Sequence, residues 1–211
     1  MALEQHIFES EHEATSTGLP NTKLAMWIFL ASDCLLFGAL ISTYILYRGA
    51  SLKGPYPNDV FDIPYTSVSS FVLLASSLTM VLALAAIQRG NEASMRVWLI
   101  ATALLGGVFL GGQYFEFTEF YHEGMKLTGV NLFSSAFFTL TGTHGLHVTV
   151  GVIWLLSLVV LSVTRGISAA ESLNVEIAGL YWHFVDIVWI IIFAAVYLVG
   201  VTLAAAPAVA H

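Results

Sequence analysis

Charge is what this chain has least of. Its 211 residues hold seven Lys and Arg and fourteen Asp and Glu, 10% charged in all, against about 25% in ordinary soluble domains. Apolar residues make up 57%, above the usual ~45–50%, and mean hydropathy is +0.82. These figures exclude a soluble globular domain, a disordered tail and a disulfide-rich secreted module. They make lipid the solvent for most of the chain. The seven basic residues are scattered and too few to neutralise a run of phosphates, so no nucleic-acid partner is expected. The net charge of −7 says little about partners, because part of the acidic excess sits in a short leader. Cysteine is almost absent: Cys34 stands alone in an apolar run, so no intrachain disulfide can form. Neither Gly-x-Ser-x-Gly nor Gly-x-x-x-x-Gly-Lys-Ser/Thr occurs, which removes the common hydrolase and P-loop chemistries.

What is present is a series of long apolar runs. Five stretches, about 24–47, 66–87, 97–120, 132–163 and 177–203, can each cross a hydrocarbon core that needs about 20 helical residues. Open sheet edges are forbidden in lipid and no period-two alternation is seen, so the expected fold is all-α with five transmembrane helices. The fourth run is longer than one crossing and should tilt or project. Residues 1–23 carry Glu4, Glu9, Glu11 and Glu13 with no basic residue before Lys23, so they read as a polar arm rather than a secretory signal. Residues 204–211 read as a short tail. The longest connection, 48–65, holds Gly54, Pro55, Pro57 and Pro64 and is expected to be a structured turn. No repeat of fixed period occurs, and an odd number of spans argues against a two-fold transporter repeat. Lys23, Arg89, Arg96 and Arg165 fall on one side and Arg48, Lys53 and Lys126 on the other, which favours a cytoplasmic N-terminus.

Within the runs the charged residues are Asp33, Glu116, Glu119 and Asp186, all acidic. A lone carboxylate in hydrocarbon is costly and marks a candidate functional site. It can hold a proton or find a polar partner. The candidate partners are His144, His147 and His183. Glu116/Glu119, His144/His147 and His183/Asp186 are each spaced i, i+3, so each pair shares a helix face. These three faces are expected to meet inside the bundle. Rival readings stand beside this one. Glu119, and less so Glu116, would lie at the interface near Tyr114 and Tyr121. The His and Asp pairs would be interhelical hydrogen-bond glue. Asp33 would be a neutral acid bonded to Ser32 or Ser42. Gly107 and Gly111 form a small-xxx-small pair, expected to be a close-packing face.

As a metal site the set is poor. Carboxylate di-iron bundles use Glu-x-x-His on two helices and a further Glu from each of two others. This chain offers Glu-x-x-Glu, His-x-x-His and His-x-x-Asp. A bis-histidine haem using His144 or His147 with His183 is conceivable. The alternatives are therefore a free-standing membrane cytochrome or a small proton-coupled transporter.

Four segments carry a family resemblance. Gly142-Thr-His-Gly-Leu-His-Val148, Tyr181-Trp-His-Phe-Val-Asp-Ile-Val-Trp189, Gln113-Tyr-Phe-Glu116 and Ser32-Asp-Cys-Leu-Leu-Phe37 resemble motifs of subunit III of the haem–copper respiratory oxidases. They occur in that family's order and spacing, from about Met26 to Gly200. The two histidine motifs together are highly specific. The resemblance implies a noncatalytic subunit of a complex that reduces O2 to water and pumps protons, fed by cytochrome c or quinol. Haem and copper would sit in partner subunits I and II and none here. Subunit I would be the main partner, with subunit II, a small subunit IV and bound phospholipid. The location would be a bacterial plasma membrane. Asp33 matches the family's intramembrane carboxylate associated with proton uptake, there often Glu; Asp has a shorter reach. Glu116, His144, His147, His183 and Asp186 match its buried, structural polar positions. The five-span form would lack the two extra N-terminal helices of the longer members, whose cleft holds lipid.

Overall fold

A computed structural model describes residues 18, 20–48, 63–122, 124–127 and 132–198. Most of the polar arm, the Gly54–Pro57 turn with Lys53, the end of the fifth run and the 204–211 tail lie outside the described residues. Among those described there are helices and no strands. Helix α1 is Asn21–Tyr47, α2 Ile63–Gln88, α3 Glu92–His122, α4 Leu132–Arg165 and α5 Ser172–Phe193. A short 3-10 turn, Ala169–Glu171, precedes α5, and a π-helical turn, Ala194–Leu198, continues it. All five are long and apolar enough to cross a membrane, and each satisfies its own backbone internally, as lipid requires.

The helices outrun the hydrophobic runs. α5 begins five residues before the expected Ile177 because its polar start is held from outside the run. The Ser168 N–H donates to Glu171 Oε2 (3.0 Å), and Glu176 pairs with Lys23 at the start of α1. α3 begins at Glu92, well before Val97. There Asn91 Oδ1 accepts the Ser94 N–H at 2.9 Å, an N-terminal cap. The Glu92 carboxylate reaches across to the α4–α5 turn, accepting from Ser162 Oγ and the Ile167 N–H, each at 2.7 Å. Gly90 and Gly166, at φ +73° and +74°, make the left-handed turns after α2 and α4.

α5 is the hub. It packs against α2, α4 and α1, while α3 closes against α2 and α4. In the apolar window of α5, 56% of residues are buried inside the protein; in α1 the share is 17%. α1 therefore lies on the outside of the bundle. One stripe, Leu30, Asp33, Phe37 and Tyr44, faces inward at helical spacing. The rest of α1 is open, and its outward hydroxyls bond their own helix: Ser42 Oγ donates to Gly38 O (2.8 Å) and Thr43 Oγ1 to Ala39 O (2.8 Å).

Candidate functional site

The intramembrane polar residues do not converge on one centre. The expected meeting of the three polar faces is replaced by separate sites along different seams. The reason is that each helix turns only one or two of its polar positions inward.

On the α2–α3–α5 side, Glu116 is buried, and its Oε1 accepts from Thr66 Oγ1 (2.8 Å) and Tyr197 OH (3.1 Å). The π-helical turn carries Tyr197; an extra residue in a turn re-aims the side chains that follow it. Glu119 is exposed although it shares that side of α3, so only Glu116 of the pair is buried. Lower down the same seam, Asp186 Oδ2 accepts from Ser77 Oγ at 2.6 Å. His183 forms no side-chain hydrogen bond within the described residues, so the glue at this level runs from Asp186 to α2 rather than through His183.

Serines missed in the sequence reading complete this seam. Trp182 Nε1 donates to Ser76 Oγ and Trp189 Nε1 to Ser70 Oγ, both at 2.9 Å. The two indoles are seven residues apart on α5, two helical turns, and meet hydroxyls spaced almost as widely on antiparallel α2. A signal existed in the hydroxyl-rich run Thr66-Ser-Val-Ser-Ser and in Ser76-Ser77 within an apolar span.

Trp182 also explains the glycines. A Cβ on Gly106 would stand 2.5 Å from Trp182 Cη2, and one on Gly151 would stand 2.9 Å from the same indole. The ring lies between α3 and α4 because both are bare there. Among the described residues nothing lies within 4 Å of the Cβ position at Gly107 or Gly111. The close contacts of α3 are made instead by Gly106, against Trp182, and by Gly112, against Tyr65 and Ser69 of α2. These two flank the inward arc that carries Thr102, Phe109, Gln113 and Glu116, while Gly107 and Gly111 lie outside it.

His144 is fully buried and stacks on Trp189 (centroids 4.8 Å, interplanar 27°), with Phe37 and Phe109 edge-on at 6.3 and 5.9 Å. Among the described residues neither ring nitrogen has a hydrogen-bond partner. Its role in this structure is that of an aromatic wedge, not a hydrogen-bonded tie.

The remaining carboxylate stands apart. Asp33 is buried where α1 meets α4, and its Oδ2 lies 3.6 Å from His147 Nε2. Neither of its expected serine partners bonds it: Ser32 Oγ donates to Phe29 O at 2.7 Å, and Ser42 Oγ to Gly38 O. His147 Nδ1 is 2.8 Å from Thr143 O, one turn back on α4. Phe37, one turn along α1 from Asp33, closes edge-on over the imidazole at 5.0 Å. Tyr181 OH from α5 donates to the His147 carbonyl at 3.0 Å. Beside the pair runs an apolar groove of about 380 Å³ between α1 and α4, walled by Met26, Phe29, Val150, Trp154 and Tyr181. Among the described residues no group of three or more His, Cys, Asp or Glu is placed to hold a metal ion.

The chain's known relatives agree with one another. The family model described as Cytochrome c oxidase subunit III matches residues 2–201. Cytochrome c oxidase subunit 3 of Bacillus sp. (strain PS3) is 40% identical over 190 residues, 90% of this chain and 91% of that one. Quinol oxidase subunit 3 of Bacillus subtilis (strain 168) is 38% identical, covering 84% and 86%. Cytochrome bo(3) ubiquinol oxidase subunit 3 of Pseudomonas aeruginosa is 37% identical, covering 92% and 93%. Neither the family match nor these relatives support a free-standing cytochrome or a transporter. Five membrane-spanning helices, the histidine motifs on α4 and α5, and a match over nearly the whole length lead to one conclusion: the chain belongs to the cytochrome c oxidase subunit III family.

Proposed function

We propose that this subunit of a respiratory terminal oxidase is noncatalytic, that it packs chiefly on the haem-bearing subunit I, and that it supports proton uptake there through Asp33. The observation that carries this reading is the position of Asp33: a buried intramembrane carboxylate on the most peripheral helix, facing a histidine rather than the serines of its own helix. Haem and copper belong to subunits I and II in this reading, and subunit II and a small subunit IV complete the particle. Relatives named for cytochrome c and for quinol match about equally well, which fits a subunit common to both kinds of complex. The groove beside Asp33 takes phospholipid, the membrane is the bacterial plasma membrane, and the N-terminus is cytoplasmic. Lys23 and Arg96 share one end of the bundle, where they pair with Glu176 and Glu92.

The test has two parts. Purification in mild detergent, read by mass spectrometry with a haem spectrum, should recover this chain with a haem-bearing partner. A particle without one removes the oxidase role, and a stoichiometric Soret band from the isolated subunit removes the noncatalytic one. In the intact complex, Asp33→Asn should hasten loss of activity during turnover or slow proton uptake. Unchanged behaviour in both assays takes Asp33 out of the function.

A further inference from the structure

We infer that Asp33 and His147 hold one exchangeable proton between them across the α1–α4 seam, and that the Thr143 carbonyl is the positioning group that makes this so. The argument starts from hydrogen-bond polarity. A backbone carbonyl can only accept. At 2.8 Å from Thr143 O, the Nδ1 of His147 therefore carries a hydrogen. That leaves Nε2 either as a bare lone pair or as a second N–H, and Nε2 is the atom turned to Asp33, 3.6 Å from Oδ2. The Oδ2 atom is buried and, among the described residues, has no hydrogen-bond partner.

Proton counting then selects two states. With one proton on the pair beyond the Nδ1–H, either the carboxylic acid turns its O–H to the Nε2 lone pair, or the imidazolium turns its Nε2–H to the carboxylate. Both are neutral overall, and each sets a donor against an acceptor. With no such proton, two lone pairs face each other around a net negative charge. With two, two donors face each other around a net positive one. A charge at this depth costs about 3 kcal/mol or more, so both are disfavoured. Passing between the two favoured states moves a proton from Oδ2 to Nε2 or back, with no change in net charge. The gap is a few tenths of an ångström beyond a hydrogen bond, within reach of a small side-chain rotation.

Among the described residues, the groups around the pair are otherwise engaged. On α1, Cys34 is exposed on the outer face. On α4, His144 is stacked on Trp189. From α5, Tyr181 spends its hydroxyl on the His147 carbonyl. Phe37 covers the open edge of the imidazole. The tautomer is set by the α4 backbone, so no single side-chain change abolishes it except at position 147.

This inference deepens the proposed role of Asp33, which gives the shared proton a use, but it is tested apart from it. The intact oxidase, labelled with 15N-histidine, is compared by solid-state NMR with the His147→Gln variant to identify the His147 signals. Expected are a protonated Nδ1 and an Nε2 resonance that shifts in Asp33→Leu. An Nε2–H with a bare Nδ1, or an Nε2 resonance indifferent to Asp33→Leu, overturns the proposal. If Asp33→Leu prevents assembly, Asp33→Asn serves: its amide cannot exchange a proton with Nε2, so the resonance must still shift. Loss of activity during turnover supplies the second readout. A shared proton makes Asp33→Asn and His147→Gln non-additive, with the double variant running down no faster than the faster single one within about twofold. Multiplicative effects overturn the sharing. Normal run-down in every variant, with the NMR result intact, leaves the pair standing and removes only its part in proton uptake.

Discussion

α5 and α1 are both apolar helices that carry one buried aspartate, yet the protein treats the two aspartates differently. Asp186 of α5 sits in a seam lined with hydroxyls, flanked by the Trp182–Ser76 and Trp189–Ser70 hydrogen bonds, and takes one from Ser77. Asp33 of α1 faces the imidazole of His147. In hydrocarbon there is little hydrophobic gain in bringing helices together, so packing and interhelical hydrogen bonds hold them. The α2–α5 seam uses both. α1 has only a narrow inward stripe and an ion-pair tether at its start. The carboxylate in the first setting ties two helices through a hydroxyl; the one in the second faces an imidazole across the α1–α4 seam.

The sharpest way to break this comparison is to disturb the indole at its centre. A Cβ on Gly106 meets Trp182, which cannot move aside because Ser76 holds its nitrogen and Gly151 backs its other face. Gly106→Ala should lower stability by about 1–3 kcal/mol, seen as a lower melting temperature or loss of the subunit on purification. Gly107→Ala, facing open space, should be neutral or slightly stabilising, since Ala is the better helix former by about 1 kcal/mol. Equal melting of the two would mean that the bundle is looser around Trp182 than its geometry states.

A smaller effect separates the two neighbours of Asp186. Ser77→Ala removes its hydrogen-bond donor and should cost about 1 kcal/mol. His183→Ala removes no hydrogen bond and should stay within about 0.5 kcal/mol. The reverse order in thermal unfolding would put the tie back within α5. The smallest effect is expected at the tether of α1. Lys23 and Glu176 are both partly exposed, so Lys23→Ala should cost about 0–1 kcal/mol. The difference should shrink as salt is added, and a large salt-independent loss would show α1 to be more firmly held than its exposure suggests.

The helical count was legible from length and hydropathy, because lipid permits few solutions. Positions within helices were less so. Asp33, Glu116, His144 and Asp186 all stand out as buried polar residues in an apolar sequence, but spacing tells only that two residues share a face, not where that face points. Hence the close contacts fall on Gly106 and Gly112 rather than on the expected Gly107 and Gly111, and the structure keeps apart three polar faces expected to meet. His144 shows the limit most clearly. A histidine in an i, i+3 pair reads as polar, and only the arrival of Trp189, Phe37 and Phe109 from three other helices makes it an aromatic wedge.

Composition by itself determined the solvent and the all-helical architecture, and the α4 and α5 motifs carried the family resemblance. The solvent and the architecture follow from transfer energies and backbone satisfaction, which are sums over a segment and insensitive to its rotation. The tertiary structure decided the pairings: Ser77 for Asp186, Thr66 and Tyr197 for Glu116, His147 for Asp33. Each depends on the rotation and depth of two helices at once. Side-chain packing in the assembled bundle sets those, and no single helix encodes them alone.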